Sequence, residues 1–252
     1  MVDVSTNIDD VSTIVNIAYH EQSHTGGVED ELVEMLVGLT VSCRLWPDQV
    51  EGPYFRDVRL DRRNIVEDRI GLPLRVGLRL LDAGTGQPIA GAVVEVWHAD
   101  HEGCYSGFAP FRARPGGVVT SESVSREVVA PSETFLRGRQ PTDERGMCAF
   151  DTIYPGWYSS RTVHIHAMVL LGDRRVVTQL YFPDELTGQV FAQPPYAGRE
   201  PRDTINATDS IYIERGERAM LDVVGDVANG LSGVICLAID VESLRRPDGL
   251  PR

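Results

Sequence analysis

The stretch from Thr162 to Leu171, T-V-H-I-H-A-M-V-L-L, constrains this chain more than any other. Branched and apolar residues crowd it and Gly172-Asp173 follows, a pattern that predicts a strand ending in a turn. Side chains alternate along a strand, so His164 and His166 share one face, about 7 Å apart along the chain. Val163, Ile165 and Ala167 take the opposite face and are expected to pack. Two readings of the histidines stand side by side. They are hydrogen-bonded core residues, or they are paired ligands of one metal, since burying two imidazoles without partners is costly.

Around this strand the chain reads as a succession of short strands joined by long loops. Strands are expected over Leu72–Leu81, Ala92–His98, Met147–Ile153, Arg174–Phe182, near Ala219–Val224 and over Gly233–Asp240. The turn at Asp82–Pro88 suggests that the first two form a hairpin. Gly172-Asp173 suggests another between the histidine strand and Arg174–Phe182. A short helix is expected within Pro183–Ala192, and Arg44–Phe55 and Pro194–Asp209 read as loops. Ala99 to about Glu133 is a long Gly/Pro/Arg-rich excursion, the kind of loop that carries function or lacks order. The fold class is therefore mainly β, a β-sandwich of mixed or antiparallel strands with long loops and a short N-terminal helical arm.

At 252 residues the chain accommodates one large β domain with an arm. The expected division is an arm over 1–45 and a sandwich domain over 46–252. Residues 1–27 are polar, with His20 and His24 read as surface residues. Leu32, Met35, Leu36 and Leu39 recur at helical spacing behind Glu29, Asp30 and Glu31, predicting a helix over Val28–Leu39. Its stripe is expected to pack on the domain or on a second subunit, which places a homodimer among the expected partners.

A formal net charge of −13 argues against nucleic acid and anionic membrane as partners. No window approaches the ~20 apolar residues of a membrane span. The acidic N-terminus lacks the basic, then apolar, pattern of a signal peptide. Cys43, Cys104, Cys148 and Cys236 are dispersed, without a C-x-x-C pair, which suits reduced thiols, although an even count leaves disulfides open. A cytoplasmic location is the expectation.

Several segments, in order, resemble the intradiol ring-cleavage dioxygenases. They are G-Q-P-I-A-G-A-V-V-E-V-W-H-A-D (86–100), G-C-Y (103–105), F-L-R-G-R-Q-P-T-D-E-R-G (135–146), Y-P-G-W-Y (154–158), R-T-V-H-I-H (161–166) and T-Q-L-Y-F-P-D (178–184). The resemblance spans roughly Glu51 to Asp209. It is to the non-haem Fe(III) enzymes that open catechol, hydroxyquinol and protocatechuate rings with O2. It implies Tyr105, Tyr158, His164 and His166 as iron ligands, Tyr158 being the tyrosinate that leaves when substrate binds. It implies Arg161 as the arginine that offsets negative charge on the substrate, Gln179 as a pocket glutamine and Tyr54 as a pocket-wall residue. The implied product is a cis,cis-muconate-type dicarboxylate.

The donor chemistry is coherent with that family. Phenolates and imidazoles suit a trivalent ion, and a bound metal lowers the pKa of a hydroxyl, so tyrosines that otherwise titrate near 10 can bind ionised. Tyr154 is read as packing, His98 as a structural hydrogen-bonder, His101 as a solvated loop residue and Cys104 as a small packing residue. The chain departs from the longer enzymes in a short S-S-R link from Tyr158 to Arg161, a short N-terminal helical region and an unmatched loop, Ser106–Glu133, carrying Arg112 and Arg114. Two alternatives compete. One is a non-catalytic β-sandwich binding module. The other is a metal-dependent hydrolase using His164 and His166 with a carboxylate on zinc.

Overall fold

A computed structural model describes residues 30–38, 43–109 and 127–241. The readings of residues 1–27, with His20 and His24, of Leu39, and of Arg112 and Arg114 lie outside the described residues.

The period-two segments pair into two facing sheets. The first orders β1 (Arg44–Leu45), β9 (Gly230–Ile239), β2 (Pro73–Asp82) and β5 (Met147–Ile153), with β8 (Asp222–Asp226) also paired to β9. The second orders β4 (Arg137–Pro141), β3 (Val93–Trp97), β6 (His164–Leu171) and β7 (Arg174–Tyr181). The first sheet is mixed, because β2 runs parallel to β9 and antiparallel to β5. The second is antiparallel throughout.

One residue set fills the space between the sheets. Val76, Leu78 and Leu80 of β2 and Phe150 of β5 meet Val94 and Val96 of β3, Ile165 and Ala167 of β6 and Leu180 of β7. Each large aliphatic side chain removed from water there contributes about 1.5–3 kcal/mol. The alternation then forces Trp97, His164, His166 and Gln179 onto the outer face of the second sheet. That face is covered by the segments around Tyr54 and Tyr105, so the histidines are buried on the far side of the sheet from the main core.

The N-terminal helix is α1 (Asp30–Gly38). Its Leu32 and Leu36 pack on Met147, Ala149 and Val234, on the outer face of the first sheet. Gly77 makes room for them, since a Cβ there would lie 3.3 Å from Leu36 Cδ1. The stripe therefore packs on its own domain. Two further helices, α2 (Asp184–Phe191) and α3 (Ser210–Ile213), lie in the connection from β7 to β8.

Several expectations are corrected. β2 and β3 do not form a hairpin; they belong to opposite sheets. Pairing starts at the Leu81–Pro88 bridge, but proline has no N–H to extend it, and Gly91 at φ 73° carries the chain across to the second sheet. The loop expected over Arg44–Phe55 begins with the short strand β1. The strand expected near Ala219 starts at Asp222, because Gly216–Ala219 forms a tight 3-10 turn. β4 went unread, as R-G-R-Q-P holds no β-branched or aromatic residue. The parallel pairing of β1 with β9 sets Arg44 opposite Leu237, which brings Cys43 beside Cys236, and the two form a disulfide. Of the two thiol states left open, the disulfide holds for Cys43 and Cys236, while Cys104 and Cys148 are outside any disulfide among the described residues.

Candidate metal centre

His164 opens β6, and its Nδ1 lies 2.7 Å from the Thr162 carbonyl, to which it donates. That bond leaves the Nε2 lone pair facing inward. His166 follows on the same face, with its Nε2 3.1 Å from His164 Nε2. Tyr105 Oη lies 3.4 Å and Tyr158 Oη 3.3 Å from the same His164 nitrogen. Two phenolic oxygens and two imidazole nitrogens thus converge from three segments of the chain.

Local sequence explains how the two tyrosines arrive. Asp100 Oδ1 accepts the N–H groups of Glu102 and Cys104, tightening the turn that delivers Tyr105. Gly103 stands in that turn at φ 85°, where a Cβ would lie 2.2 Å from the Trp157 carbonyl. Gly156 reciprocates: its N–H donates to the Asp100 carbonyl, and a Cβ would lie 2.3 Å from the His101 carbonyl. The G-C-Y and P-G-W-Y motifs are two turns locked against each other. Asp100, Glu102 and Cys104 also form the His/Cys/Asp/Glu trio close enough to share a cation, 4.8 Å apart at most. Among the described residues no such trio contains His164 or His166, so no carboxylate joins them as a zinc-hydrolase site requires.

Aromatic rings wall the cluster. Tyr54 stacks on Tyr105 at 4.4 Å between ring centres and meets Tyr158 edge-on at 6.0 Å. Phe108 closes on Tyr54 at 5.2 Å, and Trp97 stacks on His166. Arg161 is nearly buried; its Nε donates to Asp209 Oδ2 at 2.8 Å and its Nη2 to Gln179 Oε1. Gln179 sits opposite His166 in the β6–β7 register and gives its Nε2 to the Val50 carbonyl at 3.1 Å. All seven residues expected at a site are brought into one neighbourhood.

The electrostatics suit a cation. Burial, then Arg161, pushes the pKa of His164 well below its usual value, and burial with His164 does the same to His166, so both are neutral donors. Burial, with Tyr158 beside it, raises Tyr105 well above the usual phenol range. Burial also raises Tyr158, against the pull of Arg161. Neither phenol ionises in this setting without a strong positive charge at the point they share. Donor atoms about 3 Å apart have the spacing of atoms each about 2 Å from one centre. His166 Nδ1 is buried without a hydrogen-bond partner, as for an imidazole positioned by packing. The residues present fit a trivalent metal ion.

A family model described as "Dioxygenase" matches residues 50–194. The chain belongs to the intradiol ring-cleavage dioxygenase family. Among curated members, the chlorocatechol 1,2-dioxygenase of Rhodococcus opacus is 29% identical over 161 residues, 53% of this chain and 54% of that protein. The protocatechuate 3,4-dioxygenase beta chain of Burkholderia cepacia is 35% identical over 165 residues, 59% of this chain and 62% of that protein. The chain thus spans between half and two thirds of the length of these relatives. Among solved structures, an intradiol ring-cleavage dioxygenase from Tetranychus urticae superposes with a TM-score of 0.71 at 32% identity, covering 82% of this chain and 98% of that one.

Tyr154 and His98 have their partners elsewhere in this dioxygenase fold. Tyr154 is buried away from the cluster, bonded to Thr187 Oγ1 at 2.7 Å, and His98 bridges the Ala99 carbonyl and Thr152 Oγ1. His101 is half-buried against Tyr196 rather than solvated. The sequence reading missed Asp209, Arg137 and Gln49. Gln49 Oε1 accepts from Gln179 N–H and Tyr181 O–H, both at 3.1 Å, pinning the 49–51 segment over β7. Arg137 is buried on β4, opposite Trp97, and holds Ser106 beside Tyr105. Its place inside F-L-R-G-R-Q was the signal available.

Proposed function

We propose that this chain opens catechol-type aromatic diols between their two hydroxylated carbons, with O2 as co-substrate. A non-haem Fe(III) would be held by Tyr105, Tyr158, His164 and His166. The observation that carries this reading is the gathering of Tyr105 Oη, Tyr158 Oη and His166 Nε2 around the fourth donor, His164 Nε2. Catechol-type substrates are named for the relatives of Rhodococcus opacus and Burkholderia cepacia and come to this chain as part of the proposal.

A ferric ion bound there supplies a Lewis acid and a means of moving electrons between diol and O2. The remaining work belongs to the protein. The Tyr54, Tyr105 and Phe108 rings form an apolar aromatic cluster beside the donors, a setting that suits an aromatic substrate. Tyr158 is half-buried where Tyr105 is fully buried, so it is the phenol nearer to solvent, and as a phenolate its oxygen accepts a proton from the diol. Arg161 keeps its charge despite burial, because Tyr158 and Asp209 stand beside it, and it faces negative charge gathering on the ring. Gln179 fixes the plane of that guanidinium. One carbon–carbon bond breaks, both atoms of O2 enter the product, and a cis,cis-muconate-type dicarboxylate results without an external reductant.

No described helix is long and apolar enough to cross a membrane. The Cys43–Cys236 disulfide weighs against the expected cytoplasmic location and in favour of an oxidising compartment. Since α1 spends its apolar stripe on its own sheet, a homodimer would use another surface.

The test is a visible spectrum with oxygen uptake. Iron-loaded protein is expected to be red-brown, its band shifting with catechols that drive O2 consumption. Tyr105→Phe and Tyr158→Phe should each remove most of the band or the turnover. A colourless iron-loaded protein, inert toward a panel of catechols, would favour the binding-module reading.

A further inference from the structure

The link between Tyr158 and His164 is short, and one remote segment touches nearly every residue of it. Asp203 accepts Ser159 Oγ–H at 2.5 Å through one oxygen and Ser160 N–H at 3.0 Å through the other. Asn206 Oδ1 accepts Thr162 Oγ1–H at 2.7 Å. Asp209 Oδ2 takes both Arg161 Nε–H, at 2.8 Å, and Thr162 N–H, at 2.7 Å. Ser159, Ser160, Arg161 and Thr162 are thus matched to three side chains spaced along 203–209.

Two features make this more than incidental contact. Ser160 holds φ 68°, a left-handed conformation that a non-glycine residue keeps only when its surroundings impose it. Asp203 braces the residue through the Ser159 hydroxyl and the Ser160 N–H. Asp209 is buried and committed at both oxygens, for its Oδ1 accepts the N–H groups of Ile211 and Tyr212 at 2.8 and 2.9 Å. Four donors leave it no lone pair for substrate or metal. The segment is itself anchored, since Asp184 of α2 holds Arg202 at 2.6 Å and Asn206 N–H at 3.2 Å, and Asn206 Nδ2 donates to the Phe182 carbonyl.

We propose that residues 203–209 are a clamp that sets the link from Tyr158 to His164, with Asp209 as the positioning residue for Arg161. Asp209 fixes the guanidinium through Nε while Gln179 holds Nη2, so the remaining edge has one direction in which to point. The same carboxylate holds the N–H of Thr162, the residue whose carbonyl receives His164 Nδ1–H. The catalytic consequence rests on the function proposed above; the clamp itself does not.

Asp203→Asn and Asp209→Asn in the iron-loaded protein separate the two. Amide hydrogen exchange of peptides covering 159–162 should quicken roughly tenfold or more in either variant, with β2 and β9 unchanged. Unchanged exchange across 159–162 in both variants would overturn the clamp. Asp209→Asn should also lose about 10²-fold in kcat, the cost of a misplacement of about 1 Å, while KM and iron content stay within about threefold. Quickened exchange with kcat intact would overturn the positioning role. Asp203 is exposed, so its variant reports on the clamp even where Asp209→Asn does not fold. If the unmodified protein consumes no O2 with any catechol, the reaction is refuted, and exchange alone still decides the clamp.

Discussion

Gly52 rests directly on the ring of His166: a Cβ built on Gly52 would lie 3.0 Å from His166 Cε1. A face of that ring is stacked on Trp97, whose centroid is 4.8 Å away with the planes 6° apart. An imidazole with no partner for its Nδ1 depends on such packing for its orientation.

Gly52→Ala therefore meets two obstacles, a contact that His166 must yield to and a φ of 77° that an alanine adopts at a cost. A loss of about 1–2 kcal/mol in urea titration is expected, together with weaker iron retention in competition with a chelator. Wild-type retention would show that packing from the 51–56 segment does not orient the ring.

Arg137 presents the opposite problem, a buried guanidinium whose Nη1 has no partner and whose other nitrogens are spent on Ser106. Burial lowers its pKa to about 10, with Arg56 adding to the effect. An unpaired buried cation costs several kcal/mol, so Arg137→Met is expected to be no less stable than the parent in the metal-free state. The same variant frees Ser106, and with it Tyr105, and should bind iron about tenfold less tightly. Denaturant titration and chelator competition check the two halves separately.

How much of this was readable beforehand depends on distance along the chain. The histidine strand, its hairpin partner and α2 announce themselves through local periodicity and turn residues, and the ligand-type residues lie in compact motifs. Asp203 and Asp209 sit more than 40 residues from what they hold, in a segment with no periodic pattern. Nothing local marks a carboxylate there as more than a solvated loop residue. The same holds for Cys43 and Cys236, 193 residues apart, which meet only because β1 lies parallel to β9. β4 shows the converse: its residues disfavour a strand, and pairing with β3 makes them one.

Two buried groups give stability opposite dependences on pH. Burial lowers the folded pKa of His98 to about 4 from 6.5, so on acidification the unfolded chain takes up a proton that the folded one refuses. Stability falls as pH drops through that window. Burial, and next Asp57, raises Glu95 from 4.5 to about 7, so the unfolded chain releases its proton first and stability falls as pH rises through that range. Glu95→Gln is expected to gain of order 1–3 kcal/mol at pH 8 and little at pH 4. Melting curves at the two pH values decide it; an equal gain at both would assign the effect to packing.

Removing the disulfide with Cys43→Ser and Cys236→Ser should cost about 2–4 kcal/mol, since closing so long a loop restricts the unfolded chain. Urea titration with and without reductant checks it: the parent should shift with reductant and the variant should not.

The place of β9 in the first sheet carries a last consequence. It is the last strand among the described residues, yet it lies between β1 and β2, with Leu74 opposite Leu231 and Asp82 opposite Ile239. A ribosome must therefore deliver nearly the whole described chain before the first layer can close. Until then β2 stands with one flank open, its backbone polar groups available to any passing strand. Premature termination before Gly230 would not merely trim this protein; it would leave a half-built layer prone to self-association, with the clamp and the histidines already synthesised but without a scaffold to hold them.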